Sequence, residues 1–303
     1  MSEDCNLHKG NSVYKGEDFS IIECEICLFK HIIPLPEQNE LDQLYKADYY
    51  EKVKPEYIKN VKEDAEWLAN VYKERVKVID SYFEIGETLT ALDIGSGPGY
   101  FLTAGQELGW DTVGIEPSGQ AYSYSKSLGL NVINDFFGSK QAKDLPNFDI
   151  IHMNHVLEHM QSPVEMIQLI AQKLKKNGIL CVAVPNDFNA FQEVLYDKCD
   201  FEPWWISPTL HLNYFTFDSL KQLLEGNGFD VKKRTTSFPM ELFLLMGDNY
   251  IDDNKMGRHC HEKRKNFEMR LFENNLEEVK EKFYESLAIN ELGRDVILFA
   301  RKR

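Results

Sequence analysis

The sequence predicts an α/β fold whose core is a mostly parallel β-sheet flanked by helices. Between residues 88 and 234, short apolar runs alternate with stretches of helical periodicity, which is the pattern of βα units. The predicted strands cover residues 90–94, 112–115, 131–134, 148–153 and 179–184. After residue 240, a charged helical stretch at about 255–288 precedes a strand-like run at 295–300, which we expect to rejoin the sheet.

Changes of pattern divide the chain into three predicted parts. Residues 1–36 form a small module that contains three cysteines, and residues 37–84 form a helical lead-in to the core. Residues 85–303 form the sheet domain, with a helical insertion at about 240–290 before the last strand. A chain of 303 residues that is 43% hydrophobic is large enough to bury a core of this kind.

The charge and the cysteine content of the chain indicate which partners and which cellular compartment to expect. The formal net charge of −15 disfavours nucleic acid and anionic membranes as primary partners, since both reward clustered Lys and Arg. No apolar run approaches the ~20 residues of a membrane helix, and residues 1–5 show no secretory signal. Six cysteines, three of them before residue 28, indicate a local metal cluster rather than a disulfide framework. We therefore expect a cytoplasmic protein without membrane insertion.

A glycine-rich turn follows the first predicted strand of the core. It runs from Asp93 through Gly95 and Gly97 to Gly99, directly before a helical pattern that begins at Phe101. In this context glycines let a ligand approach the backbone, and the amides of the helix start face it. A dinucleotide-binding fingerprint would need a glycine at position 100, where this chain has Tyr, so the spacing disfavours NAD.

Polar side chains also stand at the ends of the next predicted strands, where ligands bind in sheets of this kind. Glu116 is placed to accept hydrogen bonds from ribose hydroxyls, as an acidic residue about twenty positions after the turn usually does. Asp135 and Phe136 could meet an adenine amino group and ring, and Asn154 ends the fourth strand. Taken singly, Glu116 could be a solvated strand end and Asp135 a turn residue.

These features together resemble the class I S-adenosylmethionine (SAM)-dependent methyltransferases, in particular the group that contains ubiquinone-biosynthesis and sugar methyltransferases. The resemblance covers about residues 45–235 and implies a Rossmann-like, seven-stranded sheet. It implies that Asp93, Gly95 and Gly97 line the methionine part of SAM, Glu116 the ribose, Asp135 and Phe136 the adenine, and Asn154 the sulfonium. Tyr50 resembles a tyrosine that closes over the cofactor in this family, with core packing as an equal alternative.

The N-terminal module has the ligand types and paired spacing of a tetrahedral zinc site. Cys5-x-x-His8 is followed after fifteen residues by Cys24-x-x-Cys27. The segment is similar to one that precedes some sugar C-methyltransferases, although His8 departs from their two Cys-x-x-Cys pairs. A site with four protein ligands is closed, so this zinc would be structural, and the fold would carry a zinc-ribbon-like module.

The predicted binding region for the methyl acceptor contains two histidines and an aromatic segment. His211, and second to it His155, are the candidate bases, because histidine titrates near neutral pH. Residues 201–216 resemble the substrate-facing segment of the family, where Trp204, Trp205, Tyr214 and Phe215 could form flat walls. A buried loop with His211 satisfied internally is an equal alternative.

The expected acceptor is a small molecule, foremost a sugar or a sugar nucleotide methylated on oxygen or carbon. A quinone or phenol O-methyltransferase is the alternative within enzymes, and a SAM-binding partner protein without catalysis is the alternative outside them. Basic residues at 258–265 could meet a phosphate of a nucleotide-linked or phosphorylated acceptor, or form a solvated helix face. The sequence does not indicate the oligomeric state.

Overall fold

The computed structural model describes residues 8–36 and 56–303, and two β-sheets organise this part of the chain. The strands are β1 (Gly10–Lys15), β2 (Ser20–Cys24), β3 (Lys30–Ile33), β4 (Thr90–Ile94), β5 (Asp111–Ile115), β6 (Val132–Ile133), β7 (Phe148–Asn154), β8 (Leu174–Pro185), β9 (Asn213–Tyr214), β10 (Phe229–Thr235) and β11 (Asp295–Lys302).

Helices connect and cover the strands. They are α1 (Tyr57–Glu63), α2 (Ala65–Asp80), α3 (Tyr100–Glu107), α4 (Gly119–Ser127), α5 (Ser139–Asp144), α6 (Pro163–Lys173), α7 (Ala190–Lys198), α8 (Phe217–Gly226), α9 (Glu241–Leu245), α10 (Asn254–Glu273) and α11 (Glu277–Ile289), with a 3₁₀ turn at Leu157–His159. No helix of the described residues is both long and apolar enough to cross a bilayer.

The larger sheet has seven strands in the order β10-β11-β8-β7-β4-β5-β6. The pairs among β8, β7, β4, β5 and β6 are parallel, whereas β11 runs antiparallel to both of its neighbours. Apolar clusters cover both faces, which explains why residues 179–184 of β8 form a continuous apolar run rather than an alternating one. The predicted Rossmann-like sheet, including the return of the last strand, is confirmed.

Two of the predicted elements have other boundaries in the structure. The strand predicted at 131–134 has only two residues, because the chain turns at once into the polar segment that follows β6. The helical stretch at 255–288 is two helices, and Asn275 between them adopts a positive φ of 56°. An αL residue ends the regular helix, and Asn tolerates that conformation better than most residues.

The N-terminal sheet is antiparallel and has the order β1-β2-β3-β9. Its fourth strand comes from the middle of the chain, since Lys30 pairs with Tyr214 and His31 with Asn213. The amide of Ile32 also donates to the carbonyl of Leu212 at 2.9 Å. Leu212 and Tyr214 are buried in the same apolar cluster as strand residues of the module, so the two segments share one core.

The helical insertion packs on the lead-in helix α2 through buried polar contacts. Trp67 Nε1 donates to Glu268 Oε2 at 2.7 Å, and the hydroxyl of Tyr284 donates to Glu268 Oε1 at 2.7 Å. Lys280 Nζ lies 2.6 Å from Glu74 Oε2. Because Glu268 and Lys280 are buried, these partners are needed to offset the loss of water around the charges.

Candidate active site

The glycine turn lies between β4 and α3, at the carboxyl edge of the large sheet. Gly95 and Gly97 have φ values of 71° and 51°, a region that side chains rarely adopt. A Cβ on Gly95 would approach Val156 Cγ2 to 2.5 Å, and one on Gly97 would lie 3.1 Å from the Tyr57 hydroxyl. The positive φ values and these close contacts together explain why glycine stands at both positions.

Glu116 closes the turn from the neighbouring strand β5. Its side chain accepts hydrogen bonds from the amides of Gly97 at 2.7 Å and Ser118 at 2.8 Å. The residue is only 3% exposed, and this burial raises the pKa of the carboxyl to about 7 although both amides oppose the shift. A buried carboxylate with remaining acceptor capacity is suited to bind neighbouring hydroxyls.

Asp135 and Phe136 follow the short strand β6. Asp135 accepts a hydrogen bond from the amide of Phe136 at 2.9 Å and another from the side chain of Gln141. Phe136 lines the same cavity as the glycine turn and Glu116. Glu116 and Phe136 therefore lie at the ends of the neighbouring strands β5 and β6 and line one cavity.

A chain of four polar side chains, of which Asp93 and His152 are buried, joins the lead-in helix to the strand ends. Asp93 Oδ1 lies 2.6 Å from His152 Nδ1, and His152 Nε2 lies 3.0 Å from Arg75 Nη1. The same Arg75 nitrogen donates to Asn154 Oδ1 at 2.7 Å. Sequence reasoning missed Arg75 and His152, although a histidine between Ile151 and Met153 in a buried strand was a visible signal.

One cavity of about 2240 Å³ joins these groups, except for Asp135, which is not among its lining residues. Its cofactor half is lined by Arg75, Asp93, Gly95, Gly97, Glu116, Phe136 and Asn154. Its acceptor half is lined by His155, His159, Asp187, Trp204, Trp205 and His211. The volume exceeds the 300–1,000 Å³ of typical small-molecule pockets.

The two candidate bases lie in different electrostatic surroundings. His155 has a positive φ of 54°, and its side chain lies 3.3 Å from Asp295 and 3.4 Å from Glu158. Burial lowers the pKa of His155, but the carboxylates of Asp295 and Glu158 outweigh this effect and raise it to about 10. His211 Nδ1 lies 3.8 Å from Asp187 Oδ2, and its side chain is 23% exposed.

The aromatic segment is only partly a wall of the cavity. Trp204 and Trp205 line it, whereas Tyr214 and Phe215 are each 1% exposed and pack into the cores. The segment is pinned to the turn after β7, since the amide of Leu212 donates to the carbonyl of Glu158 at 2.8 Å. Two of the four predicted aromatic walls are therefore packing residues, because β9 turns them into the interior.

Two groups of side chains in the described residues could hold a metal ion. His8, Cys24, Cys27 and His31 present ligand atoms that all lie within 4.8 Å of one another, and so do Glu158, His159 and His211. His31 was not predicted as a ligand, although it follows Cys27 by only four residues. Cys5, predicted as a ligand, and Tyr50, predicted to cover the cofactor, lie outside the described residues.

A comparison with models of known protein families assigns the chain to one family. The model of the methyltransferase domain family matches residues 59–233, which is more than half of the chain. The chain therefore belongs to the methyltransferase domain family, and the resemblance stated from the sequence is confirmed.

Curated relatives share only part of their length with this chain. The ubiquinone biosynthesis O-methyltransferase of Actinobacillus pleuropneumoniae is 30% identical over 105 residues, which is 31% of this chain and 45% of the relative. The tRNA U34 carboxymethyltransferase of Desulfotalea psychrophila is 29% identical over 155 residues, covering 48% of this chain and 46% of the relative. The chain thus spans less than half the length of these relatives.

Solved structures show the same fold at low sequence identity. A SAM-dependent methyltransferase from Archaeoglobus fulgidus has a TM-score of 0.50 and 22% identity, covering 77% of this chain and 94% of its own. The plantazolicin methyltransferase BpumL in complex with SAH has a TM-score of 0.51 and 15% identity, covering 87% and 94%.

Proposed function

We propose that this chain is a SAM-dependent methyltransferase that acts on a small-molecule acceptor. The observation that carries the proposal is the glycine turn with Glu116 buried against it and Phe136 and Asn154 facing the same cavity. The turn, the carboxylate and the aromatic ring follow successive strand ends, in the order of methionine, ribose and adenine in SAM. The family match over residues 59–233 supports this assignment.

The proposed chemistry is methyl transfer to a hydroxyl group. The acceptor oxygen attacks the methyl carbon, the sulfur–methyl bond breaks with its electron pair going to sulfur, and S-adenosylhomocysteine (SAH) leaves. The hydroxyl proton passes to His211, whose Nδ1 lies 3.8 Å from Asp187 Oδ2. His155 is the weaker candidate, because a pKa of about 10 keeps it protonated at neutral pH.

The acceptor class that we propose is a sugar or sugar nucleotide. Trp204 and Trp205 line the same cavity as His211 and could supply flat walls to a sugar ring. The N-terminal module also resembles the segment that precedes some sugar C-methyltransferases, apart from His8. A phenol such as a quinone precursor is the second candidate, since several relatives carry the name of ubiquinone biosynthesis O-methyltransferases. Both classes present a hydroxyl to the same base.

We also propose that His8, Cys24, Cys27 and His31 hold a structural zinc ion. Ligand atoms on a tetrahedral zinc lie about 3.5 Å apart, given Zn–S and Zn–N lengths of about 2.3 and 2.0 Å. The distances from His8 Nδ1 are 2.8 Å to His31 Nε2, 3.4 Å to Cys27 Sγ and 3.6 Å to Cys24 Sγ. We also propose a cytoplasmic location, since the number and spacing of the cysteines indicate a metal site rather than a disulfide framework.

The test combines binding and turnover. Calorimetric titration should show SAH binding with no measurable binding of NAD, and Asp93→Ala should weaken the binding of SAH. Incubation with methyl-labelled SAM and separate pools of nucleotide sugars and quinone precursors should then label one pool. Failure of the wild-type protein to bind either SAM or SAH would overturn the proposed function.

A further inference from the structure

The basic run at residues 258–265 of α10 has two kinds of member in the structure. Lys263 and Lys265 form ion pairs with aspartates, at 2.6 and 2.5 Å. Arg258 is an exposed residue. Arg264 instead lines the large cavity. One cation of this run is therefore available to the interior of the site.

The guanidinium of Arg264 is held in place by two neutral groups. Its carbon Cζ lies 4.7 Å from the centre of the Trp67 ring, and its Nη2 donates to His261 Nδ1 at 2.9 Å. Since His261 Nε2 lies 2.8 Å from the Asp64 carboxylate, the proton is on Nε2, and Nδ1 is the acceptor of an uncharged imidazole. The buried Nε of Arg264 has no hydrogen-bond partner within the described residues.

The carboxylates of Glu268 and Asp295 line the same cavity but are engaged by other side chains. Glu268 accepts hydrogen bonds from two aromatic side chains of α2 and α11, each at 2.7 Å. Asp295 Oδ1 lies 3.3 Å from His155 Nε2. Among the residues that the structure describes, no carboxylate forms an ion pair with Arg264. A largely buried guanidinium with an unused donor is unfavourable unless an anion completes it.

A second arginine, Arg294, lines the cavity from the turn before β11. It is an exposed residue, and its side chain forms no hydrogen bond or ion pair within the described part of the chain. Burial and, after it, the positive charge of Arg294 lower the pKa of Arg264, so the two guanidinium groups are close enough to repel each other. An anion between them would remove this repulsion.

The backbone places Arg294 beside the acceptor half of the cavity. Its carbonyl accepts a hydrogen bond from the amide of Asn186 at 2.9 Å. Asp187, the next residue of that segment, lies 3.8 Å from the proposed base His211. A group bound by the two arginines would therefore lie on the side of the cavity that holds the methyl acceptor.

We propose that Arg264 and Arg294 together bind a phosphate group of the acceptor. This inference rests on the proposed function and narrows it, since the acceptor is then a phosphorylated or nucleotide-linked sugar and not a neutral phenol. Two guanidinium groups offer several N–H donors and a double positive charge, which match a phosphoryl group. The Trp67 ring behind Arg264 keeps the plane of these donors fixed.

The experiment uses inorganic pyrophosphate as the probe. Calorimetry measures its Kd for protein saturated with SAH, which occupies the cofactor half of the cavity. We expect Arg264→Met and Arg294→Met each to weaken pyrophosphate by about 10- to 100-fold, the range for hydrogen bonds to charged groups. The Kd for SAH should stay unchanged in both variants.

Inorganic phosphate in the same titration distinguishes the two sources of the phosphoryl group. Tighter binding of pyrophosphate than of phosphate supports a nucleotide-linked acceptor with its diphosphate. Equal or tighter binding of phosphate, lost in the same variants, supports a sugar phosphate.

Matched variants separate anion binding from support of the fold. Arg258→Met removes an exposed arginine of the same helix and should leave the Kd for pyrophosphate unchanged. Arg264→Lys should weaken pyrophosphate less than Arg264→Met, because it keeps the charge and loses the planar fork. Arg294→Met changes an exposed position, so it tests the site without disturbing the packing on Trp67.

The failure of this inference differs from the failure of the proposed function. Wild-type protein that binds SAH but not pyrophosphate, or equal Kd values for pyrophosphate in the wild type and Arg294→Met, would overturn the inference alone. Wild-type protein that does not bind SAH would refute the proposed function, and a titration of pyrophosphate without SAH would then still test the two arginines.

Discussion

The cofactor half and the acceptor half of the cavity are assembled in different ways. Glu116, Phe136 and Asn154 of the cofactor half stand at the ends of neighbouring strands of one sheet, within 60 residues of the turn. The acceptor half joins the turn after β7, the start of the β8–α7 connection and the segment before β9, and this last segment is held by the N-terminal sheet. Sheet order builds most of the first half, to which α2 adds Arg75, whereas tertiary pairing across the chain builds the second.

This difference predicts that a substitution can impair one half of the cavity and leave the other intact. The largest such difference between turnover and cofactor binding should come from His211→Ala, which removes the proposed base and leaves the glycine turn unchanged. Loss of a general base costs about 100- to 10,000-fold in turnover. We expect that loss in kcat measured with labelled SAM, with an unchanged Kd for SAH.

His155→Gln is the comparison for His211, since it removes an imidazole from the same half of the cavity. If His211→Ala kept full turnover, the histidine would be a packing residue and the acceptor half would need another base. Circular dichroism of each variant ensures that a loss of activity is not a loss of fold.

The zinc ligands test how far the N-terminal sheet supports the acceptor half. His31→Ala should lower the zinc content, measured by atomic absorption, from one ion per chain towards none, and should destabilise the module by more than about 4 kcal/mol. Since His31 pairs with Asn213 next to the acceptor segment, acceptor turnover should fall while the Kd for SAH stays constant.

Cys5→Ser sharpens the same comparison. If His31 is the fourth ligand, the Cys5→Ser variant should keep its zinc. If Cys5 is the fourth ligand, the Cys5→Ser variant should lose zinc and the His31→Ala variant should keep it. Zinc absent from the wild-type protein, purified without chelators, would contradict both forms of the site.

The smallest effect concerns pH and the cofactor half. With its pKa raised to about 7, Glu116 is largely protonated in the free protein below neutral pH, so SAM must displace a proton. The Kd for SAM should rise as pH falls below 7, by at most tenfold per unit. Glu116→Gln should bind more weakly at pH 8 and show a flat profile in calorimetric titrations from pH 5.5 to pH 8.

The same pKa shift has a defined sign for stability. Between the unfolded value of about 4.3 and the folded value of about 7, the native chain binds more protons than the unfolded one. The contribution of Glu116 to the free energy of unfolding therefore decreases as pH rises through this window. Urea unfolding of the ligand-free wild-type protein should show a free energy of unfolding that decreases as pH rises through this window, and Glu116→Gln should lack this decrease. An identical decrease in both proteins would mean that another group causes it.

The sequence was sufficient for the sheet and for the turn because both depend on local patterns. A strand, a glycine turn and a helix start are contiguous, and Glu116 follows at a fixed distance. Arg75 and His152 could not be assigned, because their contact depends on how α2 crosses the sheet. The pairing of His31 with Asn213 joins residues far apart in sequence, and β9 is too short to show a pattern.

The shared sheet of β3 and β9 has a consequence for how such proteins could be recombined. An exchange of residues 8–36 between homologues would leave the new β3 facing an unmatched β9, and Leu212 and Tyr214 would meet a foreign core. The part of the chain that determines the acceptor would then consist of two separate segments, the N-terminal sheet strands β1–β3 and the segment that ends at β9. Chimeras that move both pieces together should inherit the acceptor of the parent that donated them.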